Sequence, residues 1–463
     1  MSVRKLAFGA LLVPALAAML AAQSVAATTP RAAVKDTTAK DSVPVVAVAP
    51  TPMPTVPQGA VQSIRPRNQS GISVFETPKD SGKFEGLQLR LGGAFVQQFQ
   101  GLGHANTASV RTVAGVNQNK LLDIGHGFNT AAANLSLQVQ LADGIRVDLI
   151  SYLSSRRHNE TWVKGGYLQV DKLAFLKSAT IDDLMKYLTI RAGHFEINYG
   201  DAPLRRSDNG DALYNPFVGN LVLDAFTTEI GGDVMFRRNG FLAMAGATGG
   251  EIKGNLRARA DRAPAFLGKL GFDKQLTQSL RTRLTGSTYI SRKSPAQTLY
   301  SGDRAGSRYM LVLENTLATE PGSAASGLFN PGVRREVTSV MINPFIKFNG
   351  LELFGTIEQS NGRAAGEARD RYVRQYSSEA VYRFAGNEQL YVAARYNTVR
   401  GNLAGIAPKV GIERTAAALG WFMTPNVLVK GELVKQLYKD FPLADIRNGG
   451  KFNGFMVEGV VAF

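Results

Sequence analysis

From about residue 85 onward, polar and apolar residues alternate in short runs with a period of two. Leu135-Ser136-Leu137-Gln138-Val139-Gln140-Leu141 alternates without a break. Ile145-Arg146-Val147-Asp148-Leu149 resumes the pattern after Asp143-Gly144, a dipeptide suited to a two-residue hairpin turn. Leu87–Leu91, Leu280–Leu284 and Leu351–Leu353 repeat it. Successive side chains of a strand point to opposite faces, so these segments carry one apolar face and one charged face. A charge at every second position requires water on that side.

Strands are expected near 85–99, 128–142, 145–155, 161–173, 187–200, 227–238, 240–251, 266–275, 280–292, 336–348, 351–361, 372–385, 389–400, 412–424, 427–438 and 452–463. Short turns at Asp143-Gly144, Arg238-Asn239-Gly240, Gln275–Ser279, Asn349-Gly350, Gly386-Asn387 and Thr424-Pro425-Asn426 alternate with longer polar connections. This is the rhythm of short periplasmic turns and longer external loops. The expected fold is therefore all-β: a transmembrane, antiparallel, up-and-down β-barrel of about sixteen strands, or eighteen if one pair is hidden. Arg308–Asn315 also reads as a strand, but a single extra crossing would invert the rhythm after it, so it is assigned to a long external excursion between about residues 293 and 335. Thr180–Tyr187 predicts a short periplasmic helix, with Thr180 as its N-cap and two acids in its first turn.

The ends of the chain have their own signatures. Arg4 and Lys5 precede an apolar run from Leu6 to about Ala22, then Ser24-Val25-Ala26-Ala27. Together these describe a secretory signal peptide over residues 1–27. Residues 28–83 turn to Thr, Ala, Val, Lys and Pro and are expected to form a flexible periplasmic segment, leaving 84–463 for the barrel. Counting back in twos from Phe463 gives Val461, Gly459, Val457 and Phe455, with Glu458 on the opposite parity. An aromatic final residue on an alternating strand is similar to the signal read by the outer-membrane barrel assembly machinery.

Composition narrows the choice of chemistry. No Cys is present, which excludes disulfides and thiolate metal sites, and 53 Lys+Arg against 37 Asp+Glu give a formal net charge of +16. The basic residues are scattered rather than gathered in a tail or recognition helix, so nucleic acid is not expected as a partner. Lipopolysaccharide phosphates and anionic solutes suit an exported chain better. The four histidines show no metal-ligand spacing, and no GxSxG, Walker A or HExxH pattern occurs. No catalytic residue, metal or cofactor is assigned.

Two groups of residues are candidates for function. The third external loop, Asp201–Phe226, carries Arg205, Arg206, Asp208 and Asp211 and is read as a pore constriction, where opposed charges set ion preference. On the lumen parity lie Arg90, Arg146, Arg191, Lys269, Arg281, Arg283 and Arg395, facing a smaller set of acids that includes Asp148, Asp233, Glu352 and Glu379. That surplus favours anions weakly. Arg257, Arg259 and Arg262, in an external loop, suit lipopolysaccharide phosphates or guidance of anions to the mouth. Over about residues 84 to 463 the chain resembles bacterial outer-membrane porins, more loosely the phosphate-selective group. The resemblance rests on the strand rhythm, the Leu188–Phe195 strand entering a long third loop, and terminal Phe463. It implies an outer-membrane channel for passive diffusion of small hydrophilic solutes, with homotrimers as the expected assembly. Arginines and acids are mixed where the phosphate-selective group carries a lysine ladder. A plugged structural or adhesive barrel, or a barrel enzyme with a site at its rim, are the competing readings.

Overall fold

The computed structural model describes residues 61–80, 82–157, 160–254, 256 and 262–463. The signal peptide, most of the segment after it, and Arg257 and Arg259 lie outside the described residues. Sixteen antiparallel strands close into a barrel: β1 (Gln88–Ala105), β2 (Ala132–Ala142), β3 (Ile145–Ser154), β4 (Trp162–Val170), β5 (Leu188–Glu196), β6 (Thr228–Arg238), β7 (Phe241–Thr248), β8 (Ala265–Gln275), β9 (Leu280–Ser291), β10 (Glu336–Phe348), β11 (Leu351–Arg363), β12 (Arg371–Phe384), β13 (Leu390–Gly401), β14 (Val410–Thr424), β15 (Val427–Lys439) and β16 (Lys451–Ala462). Each pairs with its sequence neighbour, and β1 closes on β16 from Ala94 opposite Ala462 to Ala105 opposite Lys451. Every expected strand is present, in the expected order.

The alternation sorts as the period of two requires. Leu135, Leu149, Val234, Leu270, Leu284, Ile346 and Leu353 are exposed on the outer face, whereas Gln138, Asp148, Lys269, Arg283, Glu352 and Lys430 are buried inside. Exposed aromatics rim the end carrying the short turns: Phe236, Phe241, Phe348, Tyr382, Trp421 and Phe463. Phe266 and Tyr372 stand at the end carrying the long loops. Tyr372 and Tyr382 share the outer face of β12. At ~3.3 Å per residue and ~40° tilt, their separation along the barrel axis is about 25 Å, the height of an outer-membrane apolar band. Phe463 follows the last strand and exchanges main-chain hydrogen bonds of 2.9 and 3.0 Å with Gly93. Glu458 is fully buried in the lumen while Val461 is exposed, as the terminal parity requires.

Three expectations need correction. The short helix runs Ala179–Met185, and the extended residue before it is Ser178, not Thr180; Lys177 in the left-handed region turns the chain into it, and no side chain caps it. Arg308–Asn315 is not a strand, and its positive φ at Leu311 and Leu313 breaks any extended run. It belongs to the excursion, as expected, but the excursion folds back into the lumen instead of standing outside. The third correction is that residues 61–80, expected to be flexible, pack inside the turn-end mouth, with Ile72 and Phe75 buried against wall residues.

The largest apolar cluster consequently lies inside the barrel. Tyr199, Val218, Val222 and Leu223 of the third loop and Leu299, Tyr309, Val312 and Phe329 of the excursion pack on Val337, Met341, Val399, Ile412 and Val434 of the wall. The β10–β15 side of the lumen is filled with protein.

Candidate functional site: the lumen passage

The third loop leaves β5 and crosses the lumen instead of rising from it. Two glycines permit this path. Gly200 turns with φ +74 beneath Met341, and a Cβ on Gly210 would lie 2.5 Å from the Ala133 Cα and 2.6 Å from the Ala94 carbonyl. The loop therefore lies flat on β1 and β2. Its backbone needs hydrogen-bond partners away from water, and wall side chains supply them. Lys430 donates to the carbonyls of Ala212, Asn215 and Phe217 at 2.8–2.9 Å. Arg395 donates to Gly219 and Arg414 to Asn220, both at 2.7 Å. The Glu432 carboxylate accepts from the Val218 and Gly219 amides.

Ion pairs fix the rest. Arg206 grips Asp224 with two hydrogen bonds of 2.9 and 2.6 Å and stacks on Phe226. Asp208 receives Lys164 and the Tyr152 hydroxyl, and Lys164 also pairs with Glu196 at 3.1 Å. Arg205 reaches the opposite wall, where Glu352 holds both it (3.2 Å) and Arg383 (3.0 Å). Asp201 meets Lys269 and Arg283, each at 2.7 Å, and Glu76 of the N-terminal segment meets the same two cations at 3.0 and 2.7 Å. Burial alone would raise both acids; Lys269 and Arg283 hold Glu76 well below, and Asp201 below, the ordinary carboxylate range. Burial likewise works against the Asp208 carboxylate, and Lys164 and Arg206 outweigh it, lowering its pKa.

The sequence-expected residues thus fall into two sets. Arg206, Asp208 and Asp211 line a cavity of about 180 Å³ together with Arg65, Arg67, Arg146, Lys164 and Tyr214. Arg205 does not line it and instead ties the loop to the far wall. The cavity shares nine of its lining residues, Lys164 and Glu196 among them, with a second of about 220 Å³ bounded by Arg191, His194, Asp233 and Arg237. The two adjoin along β2–β6 and are together termed the passage, with room for tens of waters at most. Toward the loop end a third cavity of about 300 Å³ opens between Arg156, Phe226 and Arg304.

The expected surplus of lumen cations is mostly spent on partners. Arg146 pairs with Asp148, Arg191 with Asp233, Arg281 with Asp273, Arg395 with Glu379, and Lys269 and Arg283 as above. Among the described residues, Arg65, Arg67 and Arg237 have no carboxylate within ion-pair distance and face the passage; Arg90 shares the lumen parity of β1. Arg65 instead stacks on Tyr214 and donates to the carbonyls of Gly71 and Leu204 at 3.0 and 2.9 Å. Burial lowers its pKa. Arg65, Glu76, Lys164 and Glu196 are the contributors that sequence reasoning missed. For the first two, the signal was the return of Ile64, Ile72 and Phe75 after the proline-rich stretch. Among the described residues no cluster of three or more His, Asp or Glu is arranged to hold a metal.

No family model matches the chain, and no curated relative is found. Solved structures with a similar course include the outer membrane channel DcaP of Acinetobacter baumannii, with TM-score 0.49 and 9% identity over 82% of this chain and 98% of that one. Pseudomonas putida OprB gives 0.49 and 10%, over 81% and 94%. An anion-selective porin from Comamonas acidovorans gives 0.46 and 13%, over 81% and 100%. All three lie below a TM-score of 0.5, so no solute, selectivity or assembly passes from them to this chain.

Proposed function

We propose that the protein is an outer-membrane porin that lets small hydrophilic solutes diffuse through a narrow lumen. The observation that carries this reading is the pair of adjoining, charge-lined cavities along β2–β6, beside a lumen packed with protein on its β10–β15 side. The outer apolar face with aromatic rims about 25 Å apart favours membrane lipid as its surroundings. Asp208, Asp211 and Arg206 form the constriction in this reading, and Arg205 serves as its brace. A weak anion preference rests on Arg65, Arg67 and Arg237, not on the paired lumen arginines. Phosphate selectivity has no support, because the lumen cations are interleaved with acids.

Planar-bilayer recording of the refolded protein tests the reading, with heat-modifiable gel mobility as proof of folding. Small, discrete conductance steps in KCl with a modest anion bias are expected. Folded protein that never conducts would replace the porin with a plugged structural barrel.

A further inference from the structure

The N-terminal segment makes a nearly complete circuit of the turn-end mouth. Gln62 begins it on the β2–β3 turn, donating from its amide nitrogen to Gln140 (2.9 Å) and accepting the Gly144 amide (2.9 Å). Asn426, beside the C-terminus, donates to the Arg67 carbonyl at 3.3 Å. Gln69 then bridges two turns, donating to Pro425 (2.7 Å) and to Asn387 (2.6 Å). Ser73 donates to Glu352 of β11 and accepts from Arg281 of β9. Phe75 packs edge-on to Phe345 with ring centroids 5.2 Å apart, and Glu76 takes the ion pairs with β8 and β9. Lys79 ends the circuit on carbonyls of the β4–β5 connection.

The circuit closes on itself. Ser63 accepts from the Asp80 amide at 3.0 Å, and Gln62 donates to the Gly82 carbonyl at 2.7 Å. Residues 62–80 are therefore a loop whose two ends touch, anchored in turn to the β2–β3 turn, the β14–β15 and β12–β13 turns, strands β8–β11, and the β4–β5 connection. Ile64, Arg65, Phe75, Glu76 and Thr77 lie along the turn-side boundary of the passage.

We propose that residues 62–80 form a collar that closes down the turn end of the passage and limits what leaves it. This rests on the diffusion reading above. The collar is a second constriction, in series with the third loop and joined to it through Glu76, Lys269, Arg283 and Asp201. Its anchors are side chains and turn carbonyls, not strand ladders, so it is separable from the barrel. Removing Glu76 leaves Lys269, Arg281 and Arg283 with Asp201 and Asp273, so each wall cation keeps a carboxylate partner while the cluster gains one net positive charge.

The test is excision. Because Ser63 and Asp80 touch, Ile64–Lys79 is replaced by two glycines in the otherwise full chain, and single-channel conductance is compared with wild type. Heat-modifiable mobility verifies that the barrel has formed. A rise in conductance of roughly twofold or more is expected, since pore radius at the narrowest ring governs conduction. A silent wild type with a conducting excised form supports the collar as a complete closure while overturning open diffusion through the wild type. If wild type conducts and excision changes nothing, the collar falls while the porin reading stands. If both are folded and silent, both fall. Should the excised chain not fold, Phe75→Ala/Glu76→Gln in the full chain decides by the same comparison, with unchanged conductance overturning the collar.

Discussion

Asp208→Asn is the sharpest probe of the constriction. Asn keeps the shape of Asp; its Oδ1 can still accept from Lys164 while its NH2 donates to the Tyr152 hydroxyl oxygen, so the third loop should hold its course. What changes is charge: one negative unit leaves a cavity shared by Arg65, Arg146, Lys164 and Arg206. An ion passing about 5 Å from that carboxylate in water-like surroundings feels about 0.8 kcal/mol from it. The carboxylate opposes an anion and favours a cation by that amount each, so removing it changes their difference by about 1.7 kcal/mol and multiplies the anion-to-cation permeability ratio by about 16. Lower local polarity would enlarge the effect, and mobile salt with its ~8–10 Å Debye length would reduce the energy by roughly 40–45% at this range. Reversal potentials under a KCl gradient measure the change, with Asp183→Asn on the exposed helix as the control. Asp208→Asn should shift toward anions and Asp183→Asn should not move. A conducting wild type whose selectivity is untouched by Asp208→Asn would show that ions do not pass along β2–β6.

Two other outcomes follow from the same contacts. Glu76 faces Lys269, Arg283 and Arg237, with Asp201 and Asp273 nearby, and the pKa values of Glu76 and Asp201 are depressed, so their ion pairs stabilise docking above the ordinary carboxylate range and lose that contribution as pH falls through the depressed values. A spin label on Ser73→Cys, in a chain otherwise free of Cys, should stay immobile from pH 7 to about pH 5 and loosen only below about pH 4; loosening near neutrality would mean that other groups hold the collar. Phe463→Ser should lower the yield of heat-modifiable barrel during expression while barely changing the melting of molecules that have folded, because Phe463 lies beyond the last strand with more than half its surface exposed. Normal yield would place the assembly signal elsewhere.

The wall was legible because its physics is local. An outward Leu and an inward Arg two bonds of sheet pleat apart declare their faces at once, and Asp143-Gly144 or Asn349-Gly350 declares the turn between strands. Glu458 and Val461 were placed correctly by parity alone. What parity does not say is what an inward side chain meets. Lys430 reads the same whether it faces water or the three carbonyls it binds, which lie more than two hundred residues earlier in the chain. Parity placed Arg395, Lys269 and Arg283 on the lumen side without saying which cations stay free, and all three are paired with carboxylates. Arg205 was likewise placed on the right loop, but its partner Glu352 turns it into a brace.

A finer signal for the filled lumen was nevertheless in the sequence, in the amides. An Asn or Gln side chain carries one carbonyl and one NH2, so it pairs with a peptide group as another peptide would. A wall lined for water has no need of that match, whereas a wall lined for inward-folded backbone does. Gln100 accepts from the Met310 amide at 2.8 Å and donates to its carbonyl at 2.9 Å. Gln375 treats Leu223 the same way, at 3.0 and 2.9 Å. Asn134 donates to the Asp208 carbonyl, Asn397 accepts from Val222, and Gln436 donates to Gly327. Gln140 accepts from the Gln62 backbone amide of the collar and donates to the Gln62 side-chain oxygen. Inward amides that pair with inward-folded backbone lie on β1, β2, β12, β13 and β15. The inner faces of β3–β6 carry Arg146, Lys164, Arg191, Glu196 and Asp233, and the amide among them, Gln169, pairs with the side chains of Arg146 and Asp171 rather than with loop backbone; that is the side on which the passage runs.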